Sequence, residues 1–147
     1  MSDPVRFVLD ASVALSWCFP DEAGDYTHGV LALLTQSDAP AAAMVPAIWP
    51  LEVVNALLVG ERKRRLTEAQ TLQVIEYFES LDISVDEGGQ ERAFGAILSL
   101  AREHDLSSYD AAYLELAMRA GLPMVTQDKK LAAAAQRSGV KLLTAGG

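Results

Sequence analysis

The chain is poor in the residues that staple small proteins together. Cys18 is its only cysteine, which excludes an internal disulfide and agrees with a reducing cytoplasm. Histidine is almost as scarce: His28 and His104 stand alone in helical contexts, where they read as surface or packing residues rather than ligands. Long hydrophobic runs are missing too. Half of the residues are hydrophobic, yet Pro, Gly or charge interrupts every run before it reaches the roughly 20 residues of a bilayer span. A protein away from the membrane is expected. The opening Met1-Ser2-Asp3-Pro4-Val5-Arg6 has no basic segment ahead of an apolar one, so no secretory signal is visible and a cytoplasmic location is expected. Positive charge is also short, with 12 basic against 20 acidic side chains and a net charge of −8. That is the wrong sign for a protein that coats nucleic acid. Either nucleic acid is not the substrate, or bound cations neutralise part of the charge.

What is present fits one domain over residues 1–147, with no repeat, linker or low-complexity tract. Arg6-Phe7-Val8-Leu9 reads as a buried strand running into Asp10, and Val13 to Phe19 as a short helical segment stopped by Pro20. Residues 21–36 are helix-compatible, with Val30, Leu31, Leu33 and Leu34 as an apolar stripe, and Asp38-Ala39-Pro40 ends them. Ala43-Met44-Val45-Pro46 reads as a second strand, and Pro50 as the first-turn proline of a helix reaching Arg62-Lys63-Arg64-Arg65. Thr67-Glu68-Ala69-Gln70 has capping-box spacing and opens the next helix. Ile83-Ser84-Val85 is a brief strand, and residues 90–104 a helix with Phe94, Ile97, Leu98 and Ala101 on one face. A further helix begins at Ser107-Ser108-Tyr109-Asp110 and stops at Gly121. Leu122 to Thr126 is a strand, 128–137 a helix, and Val140-Lys141-Leu142-Leu143 a last strand. Strands alternating with helices predict an α/β fold: three α/β/α layers around a mostly parallel central sheet of four to five strands. Such sheets bind ligands beyond the carboxyl ends of their strands.

Asp10, Glu52, Asp110 and Asp128 share one kind of place, directly after a strand or in the first turn of a helix. Singly, each is also read as a cap or a dipole partner, because acidic residues favour first turns. Together they point to one edge of a parallel sheet. Carboxylates converging there repel one another and need counter-charge, which hard divalent cations supply. Oxygen-only donors favour Mg²⁺ or Mn²⁺ over zinc.

Four segments then carry a family resemblance: Val8-Leu9-Asp10-Ala11-Ser12, Val45 through Leu57 around Trp49-Pro50-Leu51-Glu52, Leu106 through Leu114 around Asp110, and Val125-Thr126-Gln127-Asp128-Lys129-Lys130-Leu131. In this order and spacing the chain resembles PIN-domain ribonucleases of the VapC toxin type, from Phe7 to Leu143. The resemblance implies a Mg²⁺- or Mn²⁺-dependent endoribonuclease that cleaves RNA phosphodiesters with metal-activated water. Its acidic quartet maps onto Asp10, Glu52, Asp110 and Asp128, as metal ligands and catalytic groups. Ser12 matches the hydroxyl position of the first motif and Thr126 the one opening the last, both supporting the ligands from behind; Asn55, one turn beyond Glu52, is a third such candidate. Residues of these types are equally capping residues. The family pattern gives Asp86 no ligand role.

The resemblance also implies a homodimer and a small cognate antitoxin, with Trp17, Phe19, Trp49 and Leu51 as candidate apolar contacts beside a core role. Arg62 to Arg65, Lys129, Lys130 and Arg137 are candidate phosphate contacts, and Arg62 to Arg65 are equally cations stabilising a helix end. Three other readings compete. A haloacid-dehalogenase-like phosphatase needs a second Asp where Ser12 stands, and a response-regulator receiver needs an acidic pair after the first strand and a lysine closing a late one. A catalytically silent PIN-like binding module sits poorly with a complete quartet.

Overall fold

A computed structural model describes residues 5–36, 38 and 40–143. Strands β1 (Arg6–Leu9), β2 (Ala42–Pro46), β3 (Ile83–Asp86) and β4 (Met124–Val125) form one sheet in the order β3-β2-β1-β4. Every pairing is parallel: Val8 lies against Met44 on one side and Met124 on the other, and Pro46 against Asp86. All four carboxyl ends therefore share one edge. Phe7, Val8, Leu9, Val45, Met124 and Val125 have no exposed surface, as befits strands covered on both faces.

The crossovers supply two helical layers. Helix α1 (Ala11–Ser16) packs against both α2 (Asp25–Thr35) and α3 (Trp49–Arg62), and α4 (Glu68–Ser80) joins them through Phe78. The Phe78 ring lies 6.1 Å from Trp17 and 5.9 Å from Trp49. Helix α6 (Ser108–Ala120) packs across β1 and β2 between α5 (Leu98–His104) and α7 (Lys129–Arg137). The result is the expected α/β/α arrangement, and among the described residues no helix is long and apolar enough to cross a membrane.

Local chemistry accounts for the boundaries. The capping box read at Thr67 forms: its hydroxyl accepts from the Gln70 N–H, and the Gln70 side chain accepts from the Thr67 N–H. Pro50 occupies the first turn of α3, and Gly121 ends α6 with φ +66°. The expected helix over 21–36 is shorter, because Pro20–Glu22 forms a separate 3-10 turn and α2 starts at Asp25. Ala39, part of its expected stop, lies outside the described residues. The last strand reduces to one bridge between Leu142 and Met124.

The stripe expected over 90–104 fails for a physical reason. The segment is a 3-10 turn at Gln90–Arg92, a π turn at Ala93–Ile97, and only then α5. Each change of winding shifts the phase of the side chains. Ile97 is buried, but Phe94 stands 97% exposed.

Candidate functional site

Asp10 is delivered to the sheet edge by β1, an interior strand of the sheet, and its backbone N–H donates to the Val125 carbonyl at 3.1 Å. It holds the N-cap position of α1, yet its side chain makes no capping bond. Its Oδ2 instead accepts from the Ser12 hydroxyl at 2.7 Å and the Thr126 hydroxyl at 2.6 Å. A hydroxyl that has given its one proton can only accept further bonds. Ser12 Oγ accordingly accepts from the Gln127 N–H at 3.0 Å, and Thr126 Oγ1 from the Asp128 N–H at 3.0 Å. The start of α1 and the turn before α7 are thus stitched together around one carboxylate.

Asp128 caps α7, Oδ1 accepting from the Leu131 N–H at 3.0 Å, so here the capping reading is correct. At α6 the cap is Ser107, which accepts from the Asp110 N–H at 3.1 Å. The Asp110 carboxylate is not spent on that cap. Glu52, in the first turn of α3, accepts at Oε1 from the Tyr113 hydroxyl at 2.6 Å.

The electrostatics are those of repelling neighbours. Burial lifts the carboxyl of Asp10 above its ordinary range; the hydroxyls of Ser12 and Thr126 oppose this, and the charge of Asp128 adds to it. Glu52 is lifted by burial, with the Tyr113 phenol opposing and the charges of Asp10 and Asp110 adding. Asp110 is lifted by burial and then by Asp128 and Asp10, while Ser107 and Lys130 oppose. Each member of the quartet therefore lies within electrostatic reach of at least two others.

Convergence is looser than simultaneous ligation requires. Among the described residues, no three His, Cys, Asp or Glu side chains lie close enough to grip one ion together. The donors still fit a hard divalent cation. They are carboxylate oxygens with little protein counter-charge, and Mg²⁺ is ordinarily held by one or two carboxylates while keeping several waters. Asp10, Glu52, Asp110 and Asp128 are the residues that would hold it, partly through water.

Not every expected neighbour joins them. Asn55 is exposed, and no hydrogen bond ties it to the quartet. Phe19 and Trp49 are buried in the core, while Leu51, next to Glu52, is 66% exposed. Arg65 is committed to Asp21 at 2.5 Å and sits over the Phe19 ring at 4.3 Å. His104 is buried between Arg137 and Ser138, away from the carboxylates in its bonding. The residue that sequence reading missed is Tyr113. A signal was present, since it lies three positions after Asp110 and therefore on neighbouring helical surface.

A family model described as PIN domain matches residues 7–137. No curated protein matches the chain. Among solved structures, the crystal structure of PAE2754 from Pyrobaculum aerophilum is similar at 22% identity and TM-score 0.57, covering 89% of this chain and 85% of that one. VapBC2 from Rickettsia felis, solved bound to a DNA fragment from its promoter, is similar at 12% identity and TM-score 0.64, over 95% of this chain and 98% of that one. At these identities the likeness is one of fold.

Proposed function

Because the chain belongs to the PIN domain family, we propose that it is a Mg²⁺- or Mn²⁺-dependent endoribonuclease acting as a VapC-type toxin. The observation that carries this is the edge where Asp10, Glu52 and Asp110 are lifted by burial and by neighbouring charges of the quartet, with hydroxyl groups and Lys130 opposing. When bound, a hard divalent cation supplies counter-charge and Lewis acidity towards a water and the scissile phosphate.

The protein's own groups divide the remaining work. Asp10 is the most rigid of the donors, fixed by two hydroxyl bonds and by β1. Asp128 is oriented by its capping bond, and Asp110 projects from a helix start held by Ser107. Glu52 orients the attacking water and accepts its proton, a role suited to a carboxylate lifted above its ordinary range. Attack in line on phosphorus cleaves the strand. The exposed Arg62, Lys63, Arg64 and Lys129 contact neighbouring phosphates, whereas Arg65 and Arg137 are engaged within the protein.

The toxin reading adds partners: an RNA substrate, a cognate antitoxin, a second copy of the chain, and a cytoplasmic location. Its support is the resemblance to VapC-type toxins and the fold shared with the VapBC2 complex. Exposed Leu51 is available to an antitoxin contact beside the site. Purified protein should cut RNA only with Mg²⁺ or Mn²⁺, and cleavage in excess chelator would sink the nuclease reading. Induced expression should arrest growth, with a neighbouring open reading frame relieving it; unimpeded growth would remove the toxin role alone.

A further inference from the structure

Tyr113 is among the largest side chains with no exposed surface. It belongs to α6, three residues after Asp110, yet its hydroxyl emerges under Glu52 of α3 and donates to Oε1 at 2.6 Å. The charge of Asp10, at the end of β1, also acts on this phenol. One phenol thus ties α6, which carries Asp110, to α3, which carries Glu52.

We propose that Tyr113 is a positioning residue that fixes the rotamer of Glu52 for the cation and the attacking water. This rests on the metal-dependent nuclease reading. Glu52 is otherwise a half-buried side chain at the end of several rotatable bonds, and no other hydrogen bond to it is present among the described residues. A phenol anchored in the core occupies one carboxylate oxygen and leaves Oε2 for other partners. Partners of this kind are worth about 10–100-fold in metal affinity or activity. The competing account is that a buried Tyr needs an acceptor and Glu52 merely supplies one.

The two accounts separate in a double-mutant cycle. Mn²⁺ affinity by calorimetry, cleavage against Mn²⁺ concentration, and melting temperature are measured for wild type, Tyr113→Phe, Glu52→Ala and the double variant. We expect Tyr113→Phe to weaken Mn²⁺ binding about tenfold, with a matching rise in the Mn²⁺ needed for cleavage. In the Glu52→Ala background the same substitution should change neither. Unchanged Mn²⁺ affinity in Tyr113→Phe overturns the proposal, as does an equal loss in both backgrounds, which marks a purely structural role. If Tyr113→Phe proves unfolded by melting, Glu52→Ala decides: unaltered Mn²⁺ binding there overturns the proposal. Absence of Mn²⁺ binding by wild type overturns the nuclease reading itself and is distinguishable from all of these.

Discussion

Two acidic clusters in this protein are built in opposite ways. At the end of β3, Asp86 receives both Nη groups of Arg119, at 2.6 and 3.2 Å, and Glu115 receives the Arg119 Nε at 2.8 Å. Arg92 stands 3.8 Å from Glu115, and a Cβ on Gly88 would come within 3.0 Å of Arg92 and 3.1 Å of Arg119, so glycine there leaves room for both guanidiniums. Asp86 is accordingly held below its ordinary range, chiefly by Arg119. At the end of β1, Asp10 has hydroxyls where Asp86 has guanidiniums, and it is lifted. Hydroxyls can orient a carboxylate, but they do not cancel its charge. One cluster is neutralised within the chain, and the other lacks such a counter-charge, which the proposed cation would supply.

That contrast can be broken by substitution. The largest effect expected is from Asp10→Asn: RNA cleavage is lost, while the metal-free protein becomes about 1 kcal/mol more stable in urea, because a buried charge without a counter-ion has been removed. Lost cleavage together with lower stability would place Asp10 in the same class as Asp86. Arg119→Met should do the opposite, costing about 3 kcal/mol by stranding Asp86 and buried Glu115, with metal-dependent cleavage retained; urea unfolding and an RNA assay check both halves. Saturating Mn²⁺, at about a hundredfold its Kd, should raise wild-type stability by about 2.7 kcal/mol and leave Asp10→Asn unmoved.

Acid supplies the smallest test. Asp10 is raised above 3.8, so the folded state holds its proton more tightly than the unfolded one. Its contribution is full below 3.8 and is lost as pH rises through the folded value. Asp86 is lowered, so its contribution is full above 3.8 and disappears as pH falls through the depressed value. In chelator, acidification should therefore shrink the stability gap between wild type and Asp10→Asn. The gap between wild type and Asp86→Asn should shrink from the opposite sign. Equal pH slopes for the two pairs would erase the contrast.

Much of the site was legible because its determinants are local. A strand running into Asp10, a proline ahead of Glu52 and a serine cap ahead of Asp110 are short-range signals, and each puts its carboxylate where the parallel sheet needs it. The capping reading of Asp128 holds in the geometry, and Ser12 and Thr126 both bond the Asp10 carboxylate. What escaped depends on long-range packing or on a change of helical winding. Tyr113 and Glu52 are 61 positions apart and meet only because α6 and α3 flank the same edge. Phe94 turns outward because the π turn before α5 alters the period that the stripe assumed. Arg65 looked like a nucleic-acid contact until Asp21 and Phe19, from another part of the chain, claimed it.

The most direct test of the central claim is a calorimetric titration of Mn²⁺ into chelator-treated wild type, Asp10→Asn and Asp86→Asn, each confirmed folded. Wild type and Asp86→Asn should bind alike, and Asp10→Asn should bind far more weakly or not at all. Undiminished binding by Asp10→Asn, or loss of binding in Asp86→Asn, would contradict the account.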